Sequence, residues 1–186
     1  MPEKMNSTKL FTLLGIFMLM LVSGCKLNTV SKEFDELALF TTTEVFDSAS
    51  LSYKLIPSVE RLISIPKNES IEKKISTLID SVSKNSFHNL KIEVLSINVT
   101  PEGKKSLLVN LKENPGFIMP DSLGNYRNWY DFFQGSMRGE QTTIILVESL
   151  LQREFAGVWI DEVKFYYQNE EMGEWDHVFL SGVISR

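Results

Sequence analysis

The feature that most narrows what this chain can become lies in its first 25 residues. A polar opening with Lys4 and Lys9 leads into thirteen consecutive uncharged residues, Leu10 to Val22, and the run closes on Val22-Ser23-Gly24-Cys25. A charged start, a short apolar run and a small-residue end form the layout of a secretory signal. A membrane-spanning helix needs about 20 apolar residues, and Ser23, Gly24 and Lys26 end this run before that length. The part expected to fold, outside the cytoplasm, is residues 25–186, and its one cysteine is Cys25. Without a second cysteine an internal disulfide cannot form, so packing alone must hold the domain.

The last four residues of the run resemble the bacterial lipobox. That resemblance implies a diacylglyceryl group on the Cys25 thiol and cleavage that leaves Cys25 as the new amino terminus. Burial contributes about 0.8 kcal/mol per methylene, so one acyl chain is a marginal anchor and two or more hold firmly. The expected partner is therefore a membrane, reached through lipid on Cys25. Lys26 is not the Asp that retains lipoproteins at the inner membrane in enteric bacteria, so either membrane of a two-membrane cell stays open. The expected organisation is a signal over 1–24, a tether over 25–36 and one domain over 37–186.

Roughly 160 residues after cleavage suit a single domain. With 43% hydrophobic and 23% charged residues the chain has globular composition. The net charge of −5 and the scatter of its 19 Lys and Arg argue against a nucleic-acid face. Leu37 to Tyr53 carries partial alternation suited to one or two strands, and Pro57 and Pro66 bracket a further strand that includes Arg61 to Ile65. Ile71, Ile75, Leu78, Ile79 and Val82 recur at helical spacing, with Glu72, Lys73, Lys74 and Asp80 opposite. Leu90 to Thr100 and Ser106 to Leu111 flank a Pro101-Glu102-Gly103 turn, which predicts a hairpin. A second helix is predicted over 140–155, with Ile144, Val147, Leu151 and Phe155 on one face and Gly157 as its stop. Val158 to Tyr167, a turn over 169–173, and Trp175 to Val183 predict a closing hairpin. This order points to the α+β class: two main helices against a mixed or antiparallel sheet.

An ordered set of segments resembles the GerMN domain, a family named after a protein of sporulation and spore germination. The set runs from Tyr53-Lys54-Leu55-Ile56-Pro57 and Arg61, through Leu95-Ser96-Ile97-Asn98-Val99 and Leu107-Leu108-Val109-Asn110-Leu111, to Gly139-Glu140-Gln141, Phe155-Ala156-Gly157-Val158 and Val163-Lys164-Phe165. It covers about Leu51 to Gly182. The resemblance implies a lipoprotein or membrane-tethered extracytoplasmic protein, with a fold similar to the ring-building α/β modules of secretion and sporulation channels. It brings no catalytic residues. Two departures are a longer segment from Lys112 to Arg138 and a last-turn glycine displaced to Gly173.

Phe117 to Phe133 is the stretch that most invites a functional reading. Tyr126, Trp129, Tyr130 and Phe133 could stack on cell-wall sugars or anchor a protein partner. The plainer expectation, and the favoured one, is that Trp129, Phe132 and Phe133 cap the core from a short helical turn. Glu170, Glu171, Glu174 and Asp176 cluster near His177; a peptidoglycan-acting enzyme would need two such carboxylates across a cleft. A solvated turn is the better reading, because His88 and His177 are the only histidines and no zinc-ligand spacing occurs. There is no Gly-x-Ser-x-Gly and no phosphate-cradling loop, so no cofactor is expected. Arg61 is expected to pair with a carboxylate of a neighbouring strand.

Overall fold

A computed structural model describes residues 33–117 and 127–186. The signal, Cys25, the tether up to residue 32, and Tyr126 lie outside the described residues. The fold is α+β. Two long strands, β1 (Phe34–Asp47) and β2 (Ser52–Pro66), form an antiparallel two-stranded ribbon of their own. Next come α1 (Ile71–Ser86), the hairpin β3 (Lys91–Val99) and β4 (Lys105–Lys112), a four-residue helix α2 (Trp129–Phe132), and α3 (Ser136–Leu151). The chain closes with β5 (Glu162–Tyr167), β6 (Glu170–Glu171) and β7 (Val183–Ser185).

The second sheet is mixed. β3 runs antiparallel to β4, and β4 runs parallel to β5. The far edge of β5 is shared by β6, at Tyr166 and Tyr167, and by β7, at Glu162 to Lys164. A parallel neighbour needs a crossover, and α3 supplies it. Leu107, Val109 and Leu111 alternate along the central strand, and all three are fully buried in one core with Val163 and Phe165 of β5. That core also takes Ile75, Leu78, Ile79 and Val82 of α1, Leu146, Leu150 and Leu151 of α3, and Leu37, Leu39 and Ile65 at the base of the ribbon.

Several sequence expectations change here. β1 starts at Phe34, inside the stretch read as tether. Pro57 lies within β2, opposite Thr42, instead of ending a strand. The Phe40 N–H points away from β2, to Ser149 Oγ (3.1 Å). Strand alternation then turns the Thr42–Pro57 pair outward as well, so the ring nitrogen of Pro57 faces the open edge and no ladder bond is lost. Lys74 is buried, not solvated: its Nζ meets Asp35 at 2.7 Å and the Lys67 carbonyl at 2.9 Å.

α3 begins at Ser136 and ends with Gln152 in the left-handed region (φ 48°), four residues earlier than expected at its start and well before Gly157. Gly139 therefore sits inside the helix. A Cβ there would lie 2.6 Å from the His177 carbonyl oxygen, so glycine lets the closing segment pack on α3. Ile145 is buried in place of Ile144, and Phe155 falls beyond the helix. The closing hairpin turns at Gln168 and Asn169, both at positive φ (53° and 69°). Two such residues suit the tight turn that matches strand twist. Asn110 holds it, donating to Asn169 Oδ1 and accepting from the Asn169 N–H. Trp175 to Gly182 is not a strand; it contains one isolated bridge, Trp175 to Val178, and Val183 opens β7.

Candidate functional site

The aromatic segment is built around a buried carboxylate. Asn128 caps α2, its Oδ1 accepting the Asp131 N–H at 2.7 Å. This aims the first amides of α2 at Glu113, just past β4. Glu113 accepts from the Trp129 N–H (2.8 Å), the Tyr130 N–H (2.9 Å) and the Tyr167 hydroxyl (2.9 Å). Burial, then the Glu113 charge beside it, push the Tyr167 hydroxyl well above the usual tyrosine range. Three donors from the protein itself on one buried carboxylate describe a structural clamp. A single Glu before Asn114-Pro115 carries no sequence signal for this role.

Clamped in this way, Trp129 is fully buried, with Phe87 at 4.8 Å between ring centroids and its Nε1 donating to the Lys91 carbonyl. Phe133 is buried against Trp175 (5.0 Å) and Tyr167 (5.4 Å). Trp129 and Phe133 thus cap the core and are withdrawn from any wall-sugar or partner contact. Tyr130 is half-buried, edge-on to Trp175 at 6.0 Å. Tyr126 lies outside the described residues.

The acidic turn is exposed. Glu171 pairs with Lys164 at 2.5 Å, while Glu170, Asp176 and His177 face solvent. Glu174 joins Trp175, Val178, Phe179 and Ser181 around an open depression of about 340 Å³. That depression holds one carboxylate, whereas glycoside hydrolysis by acid and base uses two. A second cleft, of about 240 Å³, is lined by Thr41, Glu60, Asn85, Arg138 and Gln141 among others, with the Arg138 guanidinium 5.8 Å from the Phe132 ring centre. Among the described residues no three His, Cys, Asp or Glu side chains are placed to hold a metal ion. No helix among them is long and apolar enough to cross a membrane. Arg61 reaches only its neighbour Glu60, at 3.8 Å and largely exposed, not a carboxylate across the sheet.

The surface that sequence reading passed over is the ribbon's far half. Val45, Phe46, Leu51, Tyr53, Ile56 and Val59 are exposed there. The signal was present as apolar residues on both sides of the polar turn Asp47-Ser48-Ala49-Ser50. Alternation alone says that one face is buried; it does not say that the ribbon outruns the core.

No family model matches the chain. A protein of Mycoplasma pneumoniae (strain ATCC 29342 / M129 / Subtype 1), named "Uncharacterized protein MG423 homolog", is 37% identical to it over 73 residues, which is 38% of this chain and 12% of that protein. The chain thus spans about an eighth of that relative's length. No solved structure matches it.

Proposed function

We propose that this is a lipid-anchored extracytoplasmic envelope protein whose GerMN-like domain assembles with a protein partner or the peptidoglycan, in sporulation or germination where the organism makes spores. The observation that carries the assembly reading is the β1–β2 ribbon: two strands paired only with each other among the described residues, with Ile56 and Val59 exposed along β2. Open strand edges and exposed apolar ends are surfaces on which envelope proteins add to one another. The anchoring reading rests on the run that ends at Cys25 and on the absence of a second cysteine. Its test is fractionation of cells that carry Cys25→Ala. The wild type is expected in the membrane fraction and the variant in the soluble extracytoplasmic fraction. A photo-crosslinking residue at Ile56, exposed on β2, is expected to give one discrete adduct in cells. Equal fractionation of the two proteins, with no adduct, would contradict both halves of the reading.

A further inference from the structure

One face of the ribbon's base is covered, by burial of Leu37, Leu39, Phe40 and Ile65, while Phe34 and Leu62 there are exposed; at the tip no large apolar side chain is buried, with Val45, Phe46, Leu51 and Tyr53 43%, 52%, 79% and 69% exposed. A two-stranded ribbon with bare faces is marginal in water, so this end calls for a cover. Leu51 also sits in the left-handed region, at φ 51°. Asn or Gly take that conformation at lower cost, and Leu here leaves a large apolar side chain exposed in the turn just before β2. Phe46 and Tyr53 pair across the strands, edge to face at 5.4 Å.

The polar groups of the tip are closed on themselves. Asp47 accepts from the Ala49 N–H and the Ser50 hydroxyl, both at 2.9 Å, and is ion-paired with Lys54. Ser50 and Ser52 share a hydrogen bond at 2.8 Å. Moving this end out of bulk water therefore strands no carboxylate, which removes the largest cost of such a transfer.

The tether decides which surface lies within range. From Cys25 to Phe34 is nine residue steps, at most about 30 Å of chain, and the thirteen steps of β1 add about 43 Å. A ribbon that slopes toward the membrane therefore reaches, with its tip, the same bilayer that holds the lipid. Tethering raises the local concentration of the tip at that surface, so a few apolar side chains suffice to hold it. Tyr53 and Lys54 are residue types that settle at the headgroup level.

We propose that the ribbon tip, Val45 to Lys54, is a second membrane contact that enters the headgroup region of the bilayer carrying the lipid anchor. This rests on the anchored reading at Cys25. Once Cys25 is lipidated, Leu51→Cys supplies the one free thiol, and an environment-sensitive fluorophore placed there reports its surroundings. The full lipoprotein, its acylation verified by mass, is reconstituted into phosphatidylethanolamine–phosphatidylglycerol vesicles; Glu102→Cys, at the β3–β4 turn, is the control. A blue-shifted, several-fold brighter emission at Leu51 but not at Glu102, reduced by Phe46→Ser with Tyr53→Ser, is the expected result. The same aqueous emission at both positions overturns the proposal. So does a shift at Leu51 that needs no vesicles and grows with protein concentration, which would make a second copy the cover. If mass shows no acyl group, the anchor reading fails on its own; Cys25→Ala is then added so that Leu51→Cys is again the one free thiol, and vesicles added to that labelled chain decide the tip separately, by the same shift or its absence.

Discussion

Glu113 shows what a buried charge does in this fold. Its three donors come from α2 and β5, so one carboxylate fixes the start of α2 against the sheet and seats Trp129 in the core. Tyr167 shares the arrangement, with its ionisation opposed first by burial and then by the Glu113 charge. A tyrosine whose folded pKa is raised contributes stability that is fully present below the unfolded value of 10.0 and is lost as pH climbs above it. Chemical denaturation across pH 8 to 11 should therefore show stability falling from about pH 10 upward. Tyr167→Phe should flatten that alkaline fall while costing about 1 kcal/mol at neutral pH, the worth of one hydrogen bond. The Lys74–Asp35 pair behaves differently, because both side chains are nearly out of water, 11% and 15% exposed. Removing one partner leaves the other charge stranded, so Asp35→Ala is expected to cost about 3 kcal/mol. Replacing both partners together by apolar side chains, Asp35→Leu with Lys74→Met, should cost much less. Urea melts of Asp35→Ala and of the double variant check the order; a larger loss for the double variant would contradict it.

At the scale of elements, the ribbon's base is held by side chains that imitate a third strand. Gln152 accepts from the Ala38 N–H at 2.8 Å and donates to the Ala38 carbonyl at 2.6 Å, while Ser149 takes the Phe40 N–H. Gln152→Ala should cost about 2 kcal/mol by orphaning that edge, and amide exchange should accelerate at Ala38 more than at Leu107 in the central strand. Equal acceleration at both would mean global destabilisation in place of a loosened edge. These contacts join positions more than a hundred residues apart, and no local pattern announces them. Local pattern did announce α1, where Ser70 caps the first turn and the apolar spacing names Ile75, Leu78, Ile79 and Val82 as the buried face. It misled at Lys74, since a long side chain at the edge of that face can turn inward once Asp35 waits there. It also placed the start of α3 too late, because Gly135 caps it without a side-chain bond. Of the aromatic residues singled out, Trp129 and Phe133 belong to the core. The exposed ones at the ribbon tip were hidden by an alternation that reads the same whether a strand is covered or bare.

The described residues form a domain with one shared core and a ribbon that outruns it, and the chain's one cysteine, Cys25, precedes that domain in sequence. Packing holds the domain without an internal disulfide, and the address is the lipid proposed at Cys25. Assembly at the envelope, and contact of the tip with the bilayer, both presuppose that address. The most direct test is the intact mass of the protein extracted from membranes, wild type against Cys25→Ala. The wild type should have lost residues 1–24 and gained the mass of two or three acyl chains with their glyceryl group, and Cys25→Ala should show neither change. A full-length unmodified chain, or one cut at another site, would contradict the anchored account and leave the domain without its proposed place.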